Sequence, residues 1–264
     1  MPQIPVQSID DPRLVCYRDV TQRNLTRQSG LFIAEGDKVA ERLAASRFGV
    51  ASILVEPEHA ERFERLTPAA TPIYVASRKL LAEIAGFQFH RGVLACGKRA
   101  TRSSVADLLP GRESARATIV VLPDVQDPTN LGSIIRSTAA FGCEGIVLGP
   151  RCADPFSRRV LRVSMGAAFH LPIVESRDLT ADLRALADAG FEVVAAVIDA
   201  SAEPLATAPR SERLAMVLGS EGHGLSEEWL ALCHRRVTIP MQLGIDSLNV
   251  AVAAAVLLYH FAGS

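Results

Sequence analysis

Cysteine is sparse and unpaired. Cys16, Cys96, Cys143, Cys152 and Cys233 are scattered, with no C-x-x-C among them. An odd number without metal-ligand spacing fits a reducing compartment, where thiols serve as small apolar residues. The six histidines form no H-x-x-H or H-x-x-x-H pair, so no metal site is indicated. No signal-like apolar stretch occurs near the N-terminus, and the longest apolar run, Val250–Leu258, is too short to span a bilayer. There is no internal repeat. These absences predict a soluble, cytoplasmic protein that uses neither a metal nor a membrane.

An excess of one charge is missing too. The net charge of −1 and pI near 6.6 do not by themselves point to nucleic acid. Divided near the middle, residues 1–114 carry 16 Lys/Arg against 13 Asp/Glu, and residues 115–264 carry 12 against 16. The first part also clusters its cations, as Arg13, Arg18, Arg23 and Arg27, then Arg91, Lys98, Arg99 and Arg102. Such a face can meet phosphates, although on charge alone an ordinary solvated surface is the simpler reading.

What is present is an α/β alternation. With 48% hydrophobic residues, the chain can build one large core or two modest ones. Strand-like runs at Leu31–Ala34, Val50–Val55, Pro72–Val75 and Gly92–Cys96 alternate with helical patterns at Asp37–Arg47, Glu58–Leu66 and Ser77–Ala85. The polar stretch Asp11–Arg27 is helix-compatible. Lys98–Arg116 is polar and contains Pro110-Gly111, which reads as a linker with a short helix near Val105–Leu109. Beyond it, strands are expected at Ala117–Leu122, Gly145–Leu148, Pro172–Val174, Glu192–Ile198, Leu214–Leu218 and Val237–Ile239. Helices are expected at Asn130–Phe141, Ser157–Ala168, Leu179–Ala189, Ser226–Leu232 and Ser247–Phe261. The last helix is apolar nearly all round, which predicts burial on several sides, a subunit contact among them.

Three turns in the second part carry the chemistry. In the first, Asp127 to Arg136, Pro128 closes the preceding strand and Asn130 can cap the following helix. The pattern alone also fits a capped amphipathic helix with a surface arginine. In the second, Val217 to Leu225, three glycines in six residues let backbone groups approach a ligand. The spacing G-x-x-G-x-G is not that of a dinucleotide loop, and no acidic residue follows at the required distance. His223 lies in this turn and reads more simply as a loop histidine than as an acid or base. In the third, Ile239 to Asn249, Asp246 or Ser247 can cap the last helix with Asn249 in its first turn.

In this order the three turns resemble the signature motifs of the SpoU (TrmH-like) branch of the SPOUT RNA methyltransferases. The stretch from Asp154 through Arg158, Arg159 and Arg162 to Gly166 resembles the family's segment between the first two motifs. Its arginines could reach phosphates. Leu31–Gly36 and Phe89–Ala95 resemble a substrate-binding domain often joined to such enzymes, with Arg91 where Gln is more usual. The resemblance implies an RNA-binding α/β domain over residues 1–100, a linker over 101–116, and a SPOUT domain over 117–264 whose sheet ends in a trefoil knot. It implies a homodimer that uses S-adenosylmethionine to methylate a ribose 2′-hydroxyl of RNA, ribosomal RNA before transfer RNA. By the same resemblance Arg136, Asn130, Ser247, Asn249 and Glu221 serve the reaction. Gly219, Ile239 and Leu248, with Leu218, Pro240 and Met241, hold the cofactor. Two other outcomes stay open: a non-catalytic RNA-binding protein of the same fold, or a base-directed methyltransferase of another SPOUT branch.

Overall fold

Strands with β-branched residues in unbroken runs have no polar face to show to water, so they belong in a sheet covered on both sides. The computed structural model describes residues 3–18, 29–86, 92–99, 103–109, 116–220, 222 and 224–263. These residues form two compact units: residues 1–101 with 154–170, and residues 102–153 with 171–264. The division differs from the sequence expectation in two places. Residues 154–170 pack with the first unit, and the supposed linker belongs largely to the second. Its short 3-10 helix, Val105–Leu108, buries Val105 and Leu108 in the second unit's core.

The first unit holds β1 (Ile4–Pro5), β2 (Leu31–Glu35), α1 (Asp37–Ala44), β3 (Gly49–Val55), α2 (Pro57–Leu66), β4 (Ile73–Val75), α3 (Arg78–Ala85) and β5 (Val93–Lys98). Its sheet runs β1-β4-β3-β5-β2, with β5 antiparallel to both β2 and β3. Asp11–Arg27 was expected to be helical; a 3-10 helix at Pro12–Tyr17 is observed, and residues 19–28 lie outside the described residues. So do Phe89 and Arg91.

Segment 154–170 is held in this unit by rings and charges. Phe156 and Phe169 stack around Phe32 at 5.3 and 5.6 Å, with Phe48 completing the cluster. Arg158 donates to the buried Glu35 carboxylate at 2.7 Å, and Arg162 lies 3.7 Å from its other oxygen. Arg99 and Asp154 pair at 3.2 Å. The arginines expected to reach phosphates therefore divide: Arg158 and Arg162 serve Glu35, while Arg159 is exposed. The expected single helix over Ser157–Ala168 is broken. α5 spans Arg158–Val163, and a 3-10 turn follows at Ala167–Phe169. Met165 and Gly166 between them take left-handed φ values of 53° and 76°, which end a helix.

The second unit contains β6 (Ala117–Leu122), α4 (Pro128–Ala140), β7 (Gly145–Leu148), β8 (Ile173–Glu175), α6 (Leu179–Asp188), β9 (Glu192–Ala196), β10 (Glu203–Pro204), β11 (Arg213–Leu218), α7 (Glu227–Leu230), β12 (Arg235–Thr238) and α8 (Val250–Gly263). Its seven strands run β10-β12-β9-β11-β6-β7-β8, each pair parallel. From β6 the chain moves outward through β7 to β8, then returns to β9 on the opposite side of β11. The order therefore reverses between β6 and β11. Ile119, Val121, Val193, Ala215 and Val217 fill the core beneath α6, each large aliphatic contributing about 1.5–3 kcal/mol by burial.

Two helix starts correct the sequence reading. α4 is capped by Asp127, whose carboxylate accepts from the Thr129 and Asn130 amides at 2.8 Å each. Pro128 occupies the first helical position, where its fixed φ and missing N–H cost nothing, and that moves the cap back from Asn130. α8 is capped by Asn249, whose Oδ1 accepts from the Ala251 and Val252 amides at 3.0 and 3.3 Å, in place of Asp246 or Ser247.

Replacing Glu35 with Ala would leave Arg158 and Arg162 without their shared carboxylate. A loss of about 1–3 kcal/mol in denaturant unfolding is expected, moderated by the partial exposure of both arginines.

Candidate active site

In open parallel sheets, ligands settle beyond the carboxyl ends of the strands where strand order reverses. Two adjoining cavities lie there in the second unit. The larger, about 520 Å³, is walled by the ends of β9 (Ala196 to Asp199), β11 and its turn (Leu218, Gly219, Ser220), and β12 with its following turn (Val237, Ile239, Met241, Ser247, Leu248). Ala253 and Leu257 of α8 complete it. The smaller, about 250 Å³, lies beyond β6 and is walled by Asp124, Gln126, Asp127 and Asn130. The two share Ser220, Gly222 and Val250.

The wall of the larger cavity exists because the turn after β11 folds onto itself. Ser220 and Gly224 exchange backbone hydrogen bonds at 3.1 and 3.0 Å. That brings the Gly224 carbonyl over Gly219, where a Cβ would stand 2.4 Å from the Gly224 carbon and 2.5 Å from its oxygen. No side chain fits at 219. Gly222 is the opposite case, with open space where its Cβ would be. The motif's glycines therefore have separate reasons.

Of the residues expected to hold a cofactor, Leu218, Gly219, Ile239, Met241 and Leu248 all line the larger cavity. Pro240 is exposed and is not among its walls, because successive residues of an extended segment point to opposite sides. Of the residues expected to act, Ser247 lines the larger cavity and Asn130 the smaller. Asn249 joins the first and third motifs: its Nδ2 donates to Asn130 Oδ1 at 3.0 Å. Arg136 is exposed on α4 and lines neither cavity. Six residues on from Asn130, it is turned roughly 120° around the helix and displaced about 9 Å along it. Glu221 and His223 lie outside the described residues.

Sequence reasoning missed the wall from Ala196 to Asp199, and with it Glu227 and Arg236. The available signal was positional, since the end of a parallel strand beside the glycine turn's own strand must share its cavity. Asp199 is held below the usual carboxylate range, chiefly by the Ser201 amide it accepts from at 2.8 Å, then by the Ser201 hydroxyl, with Arg236 adding a smaller share. The cavity thus combines apolar walls, exposed backbone and a few charges at its rim. That is the make-up of a site for a nucleoside-sized ligand.

Fold and site together define an α/β domain with a cavity of the nucleotide-ligand type, and comparison with known proteins narrows the class. The SpoU rRNA Methylase family profile matches residues 117–259, and the chain belongs to that family. It is 39% identical over 95% of its length to an uncharacterized tRNA/rRNA methyltransferase of Mycobacterium bovis, covering 88% of that protein. It is 29% identical to the 23S rRNA (guanosine(2553)-2'-O)-methyltransferase of Bacillus subtilis, over 98% of this chain and 99% of that one. An AdoMet-bound rRNA methyltransferase from Sinorhizobium meliloti superposes with a TM-score of 0.85 at 28% identity, over 97% of this chain and 96% of that chain. The protein is an RNA methyltransferase with S-adenosylmethionine as its cofactor. The larger cavity fits that group in volume, in its apolar walls for a purine, and in the bare backbone at Gly219. Among the described residues there is no cluster of metal-binding side chains and no helix long and apolar enough to cross a membrane.

Gly219→Ala should lower cofactor affinity by about tenfold or more in titration calorimetry, because backbone must move to admit the methyl. Gly222→Ala and Pro240→Ala, made alongside, should stay within about twofold of the parent.

Proposed function

We propose that the chain methylates a ribose 2′-hydroxyl of structured RNA, ribosomal RNA before transfer RNA. The observation that carries this reading is the hydrogen bond from Asn249 to Asn130, which ties the third motif to the first beside both cavities. Similarity to the Bacillus subtilis 2'-O-methyltransferase supports the choice of ribose over base and of ribosomal RNA. In this reading Leu218, Gly219, Ile239, Met241 and Leu248 hold the cofactor. Its sulfonium, when bound, supplies an electrophilic methyl group. The smaller cavity receives the acceptor nucleotide, and Gln126 and Asn130 meet it there.

The residues must orient a poor nucleophile and deal with its proton. Positioning alone can contribute on the order of 7–11 kcal/mol. Asn249 spends its carbonyl on the α8 amides and an N–H on Asn130, so both carboxamides are fixed before substrate arrives. Ser247 presents a hydroxyl from the wall of the larger cavity. Arg136 acts by orienting the hydroxyl and its neighbouring phosphate; a guanidinium with a pKa above about 12 is a poor base. Glu221 of the glycine turn is assigned to the same network from its motif position.

Arg136 lines neither cavity of its own chain, and α8 leaves Val252, Val256 and Tyr259 at 50%, 39% and 73% exposure on one stripe. These two facts support a homodimer in which a second copy covers that stripe. The 117–264 region is further proposed to thread as a trefoil knot, in keeping with a cavity built from the turns after β11 and β12 and from α8. Free thiols at all five cysteines accord with a cytoplasmic setting.

Arg136→Ala should abolish transfer while leaving cofactor affinity unchanged; a parallel loss of affinity would contradict the orienting role. Mass spectrometry of nuclease-digested product should find the new methyl on ribose, and a methylated base would overturn the proposal. Asn249→Ser keeps a capping oxygen but loses the bond to Asn130. Its melting temperature should stay near the parent's while its turnover falls on the order of a hundredfold.

A further inference from the structure

The turns after β6 and β7 leave the sheet side by side, since Leu122 and Leu148 are register partners on parallel strands. Hydrogen bonds then join the two turns along their length. The Gly149 amide donates to the Leu122 carbonyl at 2.8 Å, and the Ala153 amide to the Val125 carbonyl at 2.9 Å. The Cys152 thiol donates to the Leu122 carbonyl at 3.1 Å and accepts from the Val125 amide at 3.3 Å. At Gly149 the Pro123 carbonyl fills the space a Cβ would need. This frame holds two opposite charges together: Arg151 Nη2 lies 2.9 Å from Asp124 Oδ2. Asp124 Oδ1 accepts from Gln126 Nε2 at 2.9 Å. Asp124 is buried and lines the smaller cavity with Gln126 and Asn130. The Arg151 side chain is 66% exposed, and Asp124 is its only ion-pair partner among the described residues.

We propose that Arg151 binds a phosphate of the RNA substrate beside the acceptor nucleotide, and so positions that nucleotide in the smaller cavity. The assignment rests on the reading of that cavity as the acceptor's place. A guanidinium carries five N–H donors in a flat fork. Asp124 engages it at Nη2, and the exposure of the side chain leaves other donors open to solvent beside the cavity. Every internal nucleotide of an RNA chain has a phosphate on either side of its sugar, so one that enters the cavity brings an anion to its edge. Phosphate is an anion that the fork matches in shape and charge.

Asp124 acts here as a positioning residue. It fixes the guanidinium in advance, on a turn that is itself pinned, and so reduces the side-chain freedom lost when RNA binds. An ion pair with so exposed a member contributes little to folding. Where the pair holds its cation is the stronger reason for it.

The test is steady-state methyl transfer by the intact chain, from labelled S-adenosylmethionine into unmodified ribosomal and transfer RNA transcripts, at several salt concentrations. For whichever transcript accepts the methyl, Arg151→Gln should lower kcat/KM about tenfold, chiefly through a higher KM for RNA. The slope of log kcat/KM against log salt should become shallower by about one, the loss of one phosphate contact. Arg151→Lys should keep the parental slope, because the charge and not the fork releases the counterion. Affinity for S-adenosylmethionine, read by calorimetry, should match the parent's in both variants. Should Arg151→Gln fail to fold with Asp124 left unpaired, the double variant Asp124→Asn, Arg151→Gln removes both charges and should show the same shallower slope. A parental slope in the glutamine variant, a loss confined to kcat, an equal change in the lysine variant, or a parallel fall in cofactor affinity would overturn the proposal. A methyl found on a base, with the slope still shallower, would sink the ribose reading and leave the phosphate contact standing.

Discussion

β11 lies between β6 and β9, and the site depends on that placement. All seven strands of the sheet are parallel, so every strand delivers its following turn to the same edge. The first motif follows β6, the second follows β11 and the third follows β12. Their distance in sequence is therefore no obstacle to their meeting. The return from β8 to β9 fixes the reversal between β6 and β11, and the two cavities flank that point. A cavity there is a product of topology first and of particular side chains second.

Side chains then refine what topology provides. At Gly219 the requirement is for none at all, because the Gly224 carbonyl occupies the space a Cβ would need. At the rim the requirement is for fixed amides. Asn249 caps α8 and bonds Asn130, and Asp127 caps α4 just before Asn130. Both asparagines thus sit at the amino ends of helices that pack on each other, where unpaired N–H groups carry partial positive charge. One carboxamide makes both contacts of Asn249, its Oδ1 capping α8 and its Nδ2 bonding Asn130.

The alternation of strands and helices was legible from apolar periodicity, and Ala117–Leu122 and Gly145–Leu148 appear with the expected bounds. Long-range events were less legible. Nothing local says that residues 154–170 leave the second unit's sequence to pack rings with Phe32 and charges with Glu35. The alternating Arg158, Arg159 and Arg162 look solvated in a linear reading, since a buried acceptor on β2 is invisible from their own segment. The caps were misread by two or three residues, and for α4 the reason is local: Pro128 favours the first helical position and so selects Asp127. Five of the six expected cofactor residues do line one cavity, a result that periodicity alone could not have reached. The family motif supplied it, and the wall at Ala196–Asp199 escaped because it belongs to no motif.

Arg136 shows why a motif residue and a cavity residue are different things. It belongs to the first motif, yet a helix turns 100° per residue, so Asn130 and Arg136 cannot face one point. The guanidinium is exposed and pairs with none of the described residues. Among the described residues no stabilising contact explains this cation, and surface arginines of that kind contribute little to folding. Under the proposed reaction the same exposure has a use: the group is available to an RNA chain or to a cavity presented by another copy.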